Sequence, residues 1–139
     1  MIFLDKGDSL SREDVPRLAK ENEIKIKLRS FTDDDCEILT EVLRITTTLE
    51  VLDFVGNSVS ALQNSKFIEA LSKNHTIKLL DMENGTSYGV EGAKAIAAVL
   101  KENSTIENIG LWNNIGDEGV AALSEALKVN STLQELYLD

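Results

Sequence analysis

Apolar residues recur along the chain in blocks that begin with the spacing L-x-x-L-x-L. Successive copies start at residues 49, 77, 106 and 133, so the steps between them are 28, 29 and 27 residues. The end of each block alternates apolar and polar residues, which is typical of a half-buried strand. The pattern therefore predicts a repeat protein with one short β-strand in each copy. The apolar positions of the four copies are Leu49/Leu52/Phe54, Ile77/Leu80/Met82, Ile106/Ile109/Leu111 and Leu133/Leu136/Leu138.

The second half of each copy has helical spacing instead. Val120, Leu123 and Leu127 lie at positions i, i+3 and i+7, which fall on one side of a helix. We therefore predict that each strand is followed by an amphipathic helix that turns its apolar columns toward the core. The aligned columns are Cys36/Asn64/Ala93/Val120, Leu39/Phe67/Ile96/Leu123 and Leu43/Leu71/Leu100/Leu127.

The segment "IENIGLWNNIGDEGVAALSEALKVNSTL" resembles leucine-rich repeat proteins, specifically the ribonuclease-inhibitor-like subclass with its longer, helical repeat. The resemblance extends over residues 30–139. It implies an α/β fold: a right-handed solenoid, or horseshoe segment, with parallel strands on the concave face and helices on the convex face. It also implies that Asn57 and Asn114, each eight residues after its strand's first apolar residue, form a ladder of hydrogen bonds with neighbouring turns.

We predict a single domain over residues 1–139. Residues 1–29 contain "LSREDVPRLAKEN", which predicts an N-terminal capping helix, and "EIKIKLRS", which can supply a first strand. Residues 30–139 hold about four repeats, the last of them incomplete. Because the sequence stops inside a repeat, we expect either a fragment of a longer protein or an end that another subunit covers by end-to-end self-association.

The chain carries 24 acidic and 14 basic residues, a formal charge of −10. That charge repels phosphate, so neither nucleic acid nor an anionic membrane is expected as a partner. The single cysteine, Cys36, falls in a core-facing column and is predicted to be a buried thiol. Together with the lack of a membrane-spanning apolar run of about 20 residues, this favours a cytoplasmic protein.

Three Asn-x-Ser/Thr sequences, at Asn74, Asn103 and Asn130, recur at one point of the repeat. Repeat geometry therefore accounts for them better than glycosylation does. Another acidic feature, the run Asp33–Asp35, precedes a helical segment. We interpret it as a helix start that favours negative charge and not as a cation site.

Residues 85–89 fit G-x-S-x-G, the nucleophile-elbow pattern of α/β-hydrolases, with Ser87 at the nucleophile position. A triad of that kind needs a histidine after the serine, whereas the only histidine, His75, precedes it. In the repeat alignment the loop is a two-residue insertion. We therefore predict no catalytic residue, no metal site and no cofactor.

Strand alternation turns a set of variable residues toward the predicted concave face. Exposed aromatic residues beside charges are typical of binding hot spots, so we expect this face to bind a protein that carries basic residues. The function predicted is a non-enzymatic interaction module. Two alternatives stay open: a GTPase regulator resembling the repeats of the Ran GTPase-activating protein, and a tropomodulin-like actin-capping domain. The expected contacts are Trp112, Tyr137, Asp53, Asp81, Glu83 and Asp139, with Lys25, Lys27 and Arg29 on the first strand.

Overall fold

The computed structural model describes residues 1–5, 10–26, 31–54, 60–82, 89–111 and 115–138. In this part of the chain six strands form one parallel sheet in sequence order. The strands are β1 (Ile2–Leu4), β2 (Glu23–Ile26), β3 (Val51–Asp53), β4 (Leu79–Asp81), β5 (Asn108–Leu111) and β6 (Glu135–Leu138). The helices are α1 (Val15–Leu18), α2 (Asp33–Ile45), α3 (Ser65–Lys73), α4 (Gly89–Glu102) and α5 (Gly116–Leu127), with short 3-10 helices at Arg12–Asp14 and Ser60–Gln63. This α/β arrangement fits a leucine-rich-repeat-like fold.

The strand register reproduces the alignment of the sequence copies. Leu52 of β3 lies opposite Leu80 of β4, Leu80 opposite Ile109 of β5, and Ile109 opposite Leu136 of β6. The repeat alignment is thereby confirmed in space. Equal apolar spacing fixes this register because a slip by one residue would turn every apolar side chain to the other face of the sheet.

The core lies between one face of the sheet and the helices. Leu52, Leu80 and Ile109 are fully buried, and their strand neighbours Val51 and Asp53 are only half-buried. The buried strand and helix residues form one continuous apolar cluster. We call the sheet face turned away from that cluster the open face. From the helices, the column Leu39/Phe67/Ile96/Leu123 is buried as predicted.

Buried asparagines connect successive repeats. Asn103 donates from Nδ2 to the carbonyl oxygens of Leu71 and Asn74, at 2.9 and 3.0 Å. Its Oδ1 accepts from the backbone N–H groups of Thr105 and Ile106, at 2.9 and 2.8 Å. One side chain thus satisfies four backbone groups that would otherwise be left unpaired at the buried helix-to-strand corner.

The same kind of contact recurs at the corners that follow α2, α3 and α5. Asn74 donates to the carbonyl oxygen of Leu43 at 3.0 Å, and Asn130 donates to that of Leu100 at 2.8 Å. Thr46 takes the equivalent place one repeat earlier and donates from Oγ1 to the Ala19 carbonyl. Asn74, Asn103 and Asn130 therefore hold the repeats together, which confirms the expectation that repeat geometry explains their Asn-x-Ser/Thr sequences.

Helix α2 begins at the acidic run, as the sequence predicted. The Thr32 hydroxyl accepts from the Asp35 N–H at 3.1 Å, and the Asp35 carboxylate accepts from the Thr32 N–H at 2.9 Å. This reciprocal pair is a capping box, and Asp33 and Asp34 complete an acidic first turn.

The N-terminal segment contains a strand that the sequence analysis did not anticipate. Strand β1 pairs with β2, with Ile2 opposite Ile24 and Leu4 opposite Ile26. The expected helix follows it as a 3-10 turn and a single α-helical turn with Pro16 in the first turn. Strand β2 includes the expected "EIKI", so the sheet extends two strands before the first recognisable repeat.

Two predictions about the helical columns are wrong. Val120 and Leu127 of α5 are exposed, although their columns are buried in earlier copies, because no described helix packs on the far side of α5. Asn64, placed in the first helical column, is instead the N-cap of α3 and accepts from the Lys66 and Phe67 N–H groups. The aligned columns therefore predict burial only in helices that start at the same position of the repeat and that have a helix packed on each side.

Apolar exposure is concentrated where the described chain ends. Of eight large apolar residues exposed in the described part, five lie on α5, β6 or the turn between them. Tyr137 is on the open face; we call the other four, Val120, Leu127, Val129 and Leu138, the C-terminal end face.

Candidate functional site

One register row crosses the whole open face. Each member lies opposite the next on the neighbouring strand, and neighbours in a parallel sheet are about 4.8 Å apart. We call this set the central row. From β1 to β6 it consists of Phe3, Lys25, Asp53, Asp81, Gly110 and Tyr137.

The chemistry of the central row changes along the sheet. Phe3 and Tyr137 at its two ends are about half exposed, at 48% and 47%. Asp53 and Asp81 occupy adjacent strands in its middle and are half-buried. Like charges directly opposite one another repel across a sheet.

The only cation that the described part of the central row contains is Lys25. Its ammonium lies 3.5 Å from the Glu23 carboxylate on the same strand. Glu23 belongs to a second open-face row, two positions before the central row on each strand. That row continues through Val51, Leu79, Asn108 and Glu135.

A notch interrupts the open face at Gly110. Because this position has no side chain, a cavity of about 200 Å³ lies between β4 and β6. We call it the Gly110 notch. Its walls include Leu79 and Asp81 on β4, Asn108 and Gly110 on β5, and Glu135 and Tyr137 on β6.

The Tyr137 hydroxyl donates a hydrogen bond to Oε2 of Glu135 on the same strand. This bond, and the negative charge of Glu135, raise the pKa of the Tyr137 phenol because the neutral form is the better donor. Tyr137 therefore stays a neutral hydrogen-bond donor, and it orients one wall of the Gly110 notch.

Several predicted site residues lie outside the described residues. These are the predicted contacts Trp112, Glu83 and Asp139, the ladder residues Asn57 and Asn114, the strand residues Lys27 and Arg29, and Ser87 of the G-x-S-x-G sequence. Among the remaining predicted contacts, Asp53, Asp81 and Tyr137 share the central row. Their role in binding stays a prediction.

The sequence analysis missed Phe3 and the second open-face row. Phe3 was overlooked because β1 has only three residues and does not show the L-x-x-L-x-L spacing of the repeats. The apolar sequence Ile2-Phe3-Leu4 is nevertheless compatible with a strand. Asn108 and Glu135 were overlooked because only the positions after the second apolar residue were considered. Extending the strand alternation by two residues toward the N-terminus of each strand would have identified Asn108 and Glu135 as open-face residues.

Other reactive groups have structural surroundings. Burial raises the pKa of the Cys36 thiol to about 11, so it stays protonated near neutral pH. His75 is exposed at a helix-to-strand corner, as expected. Within the described ranges no group of three or more His, Cys, Asp or Glu side chains could hold a metal ion. None of the described helices is long and apolar enough to cross a membrane.

The stacked strand–helix units and the single parallel sheet fit a leucine-rich-repeat-like fold. A family model described as Leucine Rich repeat matches residues 112–124, of which 115–124 lie within the described ranges. No curated protein sequence matches the chain.

Among solved structures, the chain is similar to "Leiomodin-1 Actin-Binding Site 2 (ABS2)". The TM-score is 0.73 at 22% sequence identity, over 92% of this chain and 76% of that one. At that identity the likeness concerns the fold.

Proposed function

We propose that the protein is a non-enzymatic module that binds a protein partner through the open face of its sheet. The central row carries this proposal. It places two exposed aromatic side chains at the ends of a surface whose middle is occupied by adjacent carboxylates. Side chains of this kind supply contact area and electrostatic selection to a bound protein.

The geometry of stacked repeats supports a concave open face. Packed helices need an axial spacing of about 8–10 Å, whereas adjacent strands need only about 4.8 Å. A stack with helices on one side and strands on the other must therefore curve toward the strands. We further propose the right-handed connection that parallel strand–helix–strand units adopt in almost all proteins. The repeat steps and the helices of 9 to 14 residues favour the ribonuclease-inhibitor-like subclass.

A charge-reversal experiment tests the open face. Immobilised protein would be compared with an Asp81→Lys/Tyr137→Ala variant for recovery of partners from a cell extract. Glu102→Lys is the control for charge, because Glu102 is exposed at the end of α4, on the helix side. Loss of a partner by the double variant, but not by the control, is expected. Equal recovery by a folded double variant would reject the proposal.

Actin is the second candidate partner. It is favoured by the fold likeness to leiomodin-1, whose matched segment is named as an actin-binding site, and by the tropomodulin-like alternative. Co-sedimentation with actin filaments and pointed-end depolymerisation would be measured for the wild type and the Asp81→Lys/Tyr137→Ala variant. If the protein neither binds the filaments nor changes depolymerisation at their pointed ends, actin is rejected as the partner. The proposal of a protein-binding module would still stand.

The GTPase-regulator alternative stays a prediction, since neither the leucine-rich repeat family model nor the leiomodin-1 structure is named for a GTPase. The expected self-association is supported by the concentration of exposed apolar side chains on the C-terminal end face. Patches of this kind commonly mark protein contacts. We propose that another subunit or another part of the assembly covers this face.

A further inference from the structure

Gly110 is unexpected in the middle of a strand. Glycine weakens a strand interior because it loses more backbone entropy on folding and offers no side chain to pack. Its neighbours across the sheet, Asp81 and Tyr137, both carry side chains on the open face. Interior glycines often mark a point where a ligand or another backbone approaches closely, and the cavity at this position has that form.

The size of the Gly110 notch limits its occupant. Its volume of about 200 Å³ is below the lower end of small-molecule pockets, about 300 Å³. The notch also opens on the face that we propose for partner binding. A single side chain of a bound protein therefore fits it better than a free metabolite.

The walls of the notch select charge. Asp81 and Glu135 stand on either side of Gly110, and none of the described residues that line the notch is basic. Lys25 lies two strands beyond Asp81, roughly 10 Å away, and is paired with Glu23. Glu135 is held in place by the Tyr137 hydroxyl, and a carboxylate has about four acceptor sites, so it can accept further hydrogen bonds.

We propose that the Gly110 notch receives one lysine or arginine side chain of the protein partner. The cationic head lies between the Asp81 and Glu135 carboxylates. The aliphatic stem packs against Leu79 and the Tyr137 ring, which can also hold a cation by its face. This proposal rests on the proposed function, from which it takes the protein nature of the partner and its contact with the open face. Its site chemistry is tested separately, with small probes.

Two-dimensional NMR of the ¹⁵N-labelled chain tests the notch directly. The probes are Nα-acetyl-lysine methylamide, the arginine equivalent and Nα-acetyl-norleucine methylamide, an uncharged side chain of similar length. We expect the cationic probes to bind with millimolar affinity and to shift the amide signals of Gly110, Asn108 and Tyr137. Norleucine should leave those signals in place. Raising the ionic strength from about 0.01 to about 1 M should weaken the effect, because screening shortens from about 30 to about 3 Å.

Variants of the lining residues separate the contribution of the notch's shape to probe binding from that of its negative charge. Gly110→Val should abolish the shifts because its side chain fills the notch, and valine suits a strand. Asp81→Asn and Glu135→Gln keep the shape and should each weaken binding by roughly threefold. Glu118→Gln, an exposed carboxylate on α5, is the matched control and should change nothing.

Three results would overturn the proposal: no shift with either cation, equal shifts with norleucine, or unchanged binding by Asp81→Asn and Glu135→Gln. These two variants decide the matter even if Gly110→Val fails to fold. A bound lysine probe without partner loss in the charge-reversal experiment would reject the proposed function, and would leave the notch as a site for a cationic group but not for the partner. Partner loss without probe binding would reject the notch alone.

Discussion

At the scale of single residues, the asparagine corners illustrate how a polar side chain stabilises an apolar core. Asn103 is nearly fully buried, yet each of its polar atoms is paired with backbone of its own repeat or the preceding one. A buried backbone group without a partner costs about 1–3 kcal/mol. An apolar replacement at this corner would therefore leave several such groups unpaired at once.

Asn103→Ala should lower the free energy of unfolding by about 3 kcal/mol for that reason. Asn130→Ala is a matched comparison, because Asn130 makes the same four contacts in a half-buried corner that water can reach. We expect Asn130→Ala to cost about 1 kcal/mol. Urea unfolding followed by circular dichroism measures both. Equal losses in the two variants would show that burial does not set the cost.

The Cys36 thiol should be protected from alkylation in the native state. Burial raises its pKa from 9.0 to about 11, so the reactive thiolate is scarce at pH 8 and the sulfur is covered. Labelling with iodoacetamide, followed by mass spectrometry, should therefore require unfolding by urea. Because the folded state holds this proton more tightly, its contribution to stability is present below pH 9 and declines as the pH rises from 9 toward 11. Rapid labelling of the folded chain would contradict this.

At the scale of elements, helix packing outweighs helix propensity in α5. Gly119 lies in the buried first turn, and a Cβ added there would be 2.9 Å from the Ala93 Cβ and 3.0 Å from the Ile115 Cβ. The first contact belongs to α4, so this glycine allows the two helices to approach closely. Propensity alone would favour alanine by about 1 kcal/mol.

Gly119→Ala should consequently destabilise the protein by about 1–3 kcal/mol, because overpacking at the α4–α5 contact exceeds the gain in propensity. Ala121→Gly, at an exposed position of the same helix, measures the propensity term alone and should cost about 1 kcal/mol. Thermal unfolding of both variants gives the comparison. A stabilised Gly119→Ala variant would mean that the helices move apart without cost.

At the scale of the whole molecule, the stack exposes apolar side chains beside its last strand. The C-terminal end face carries exposed Val120, Leu127 and Val129 beside the edge strand β6. An edge strand and an exposed apolar helix side together offer both backbone hydrogen bonds and contact area to a neighbour.

We expect the weight-average mass in sedimentation equilibrium to rise with protein concentration because this face self-associates. A Val120→Lys/Leu127→Lys variant should remain monomeric, since two charges cannot be buried there without partners. The matched control is Ala121→Lys, at an exposed position of α5 that lies about 100° around the helix from Val120. A wild type that stays monomeric at all concentrations would reject self-association through this face.

The repeat itself was predictable from the sequence because it rests on local spacing. L-x-x-L-x-L predicted strands β3 to β6 and their register, and the helical columns predicted the helix before each of these strands, α2 to α5. The acidic start of α2 was predictable for the same reason, since a capping box involves residues only three apart. Likewise, alternation alone placed Asp53, Asp81 and Tyr137 on one face.

Contacts between distant residues were decided only by the tertiary structure. Strand β1 carries no repeat, and its three residues are ordered as a strand by pairing with β2 more than twenty positions away. Asn103 has its role only because carbonyl groups 29 and 32 residues away come within hydrogen-bond distance. The Gly110 notch needs three strands side by side. The local spacing of apolar residues determines which helices and strands form. The contacts between repeats, and cavities such as the Gly110 notch, exist only after the repeats have stacked, because they involve residues that are far apart in the sequence.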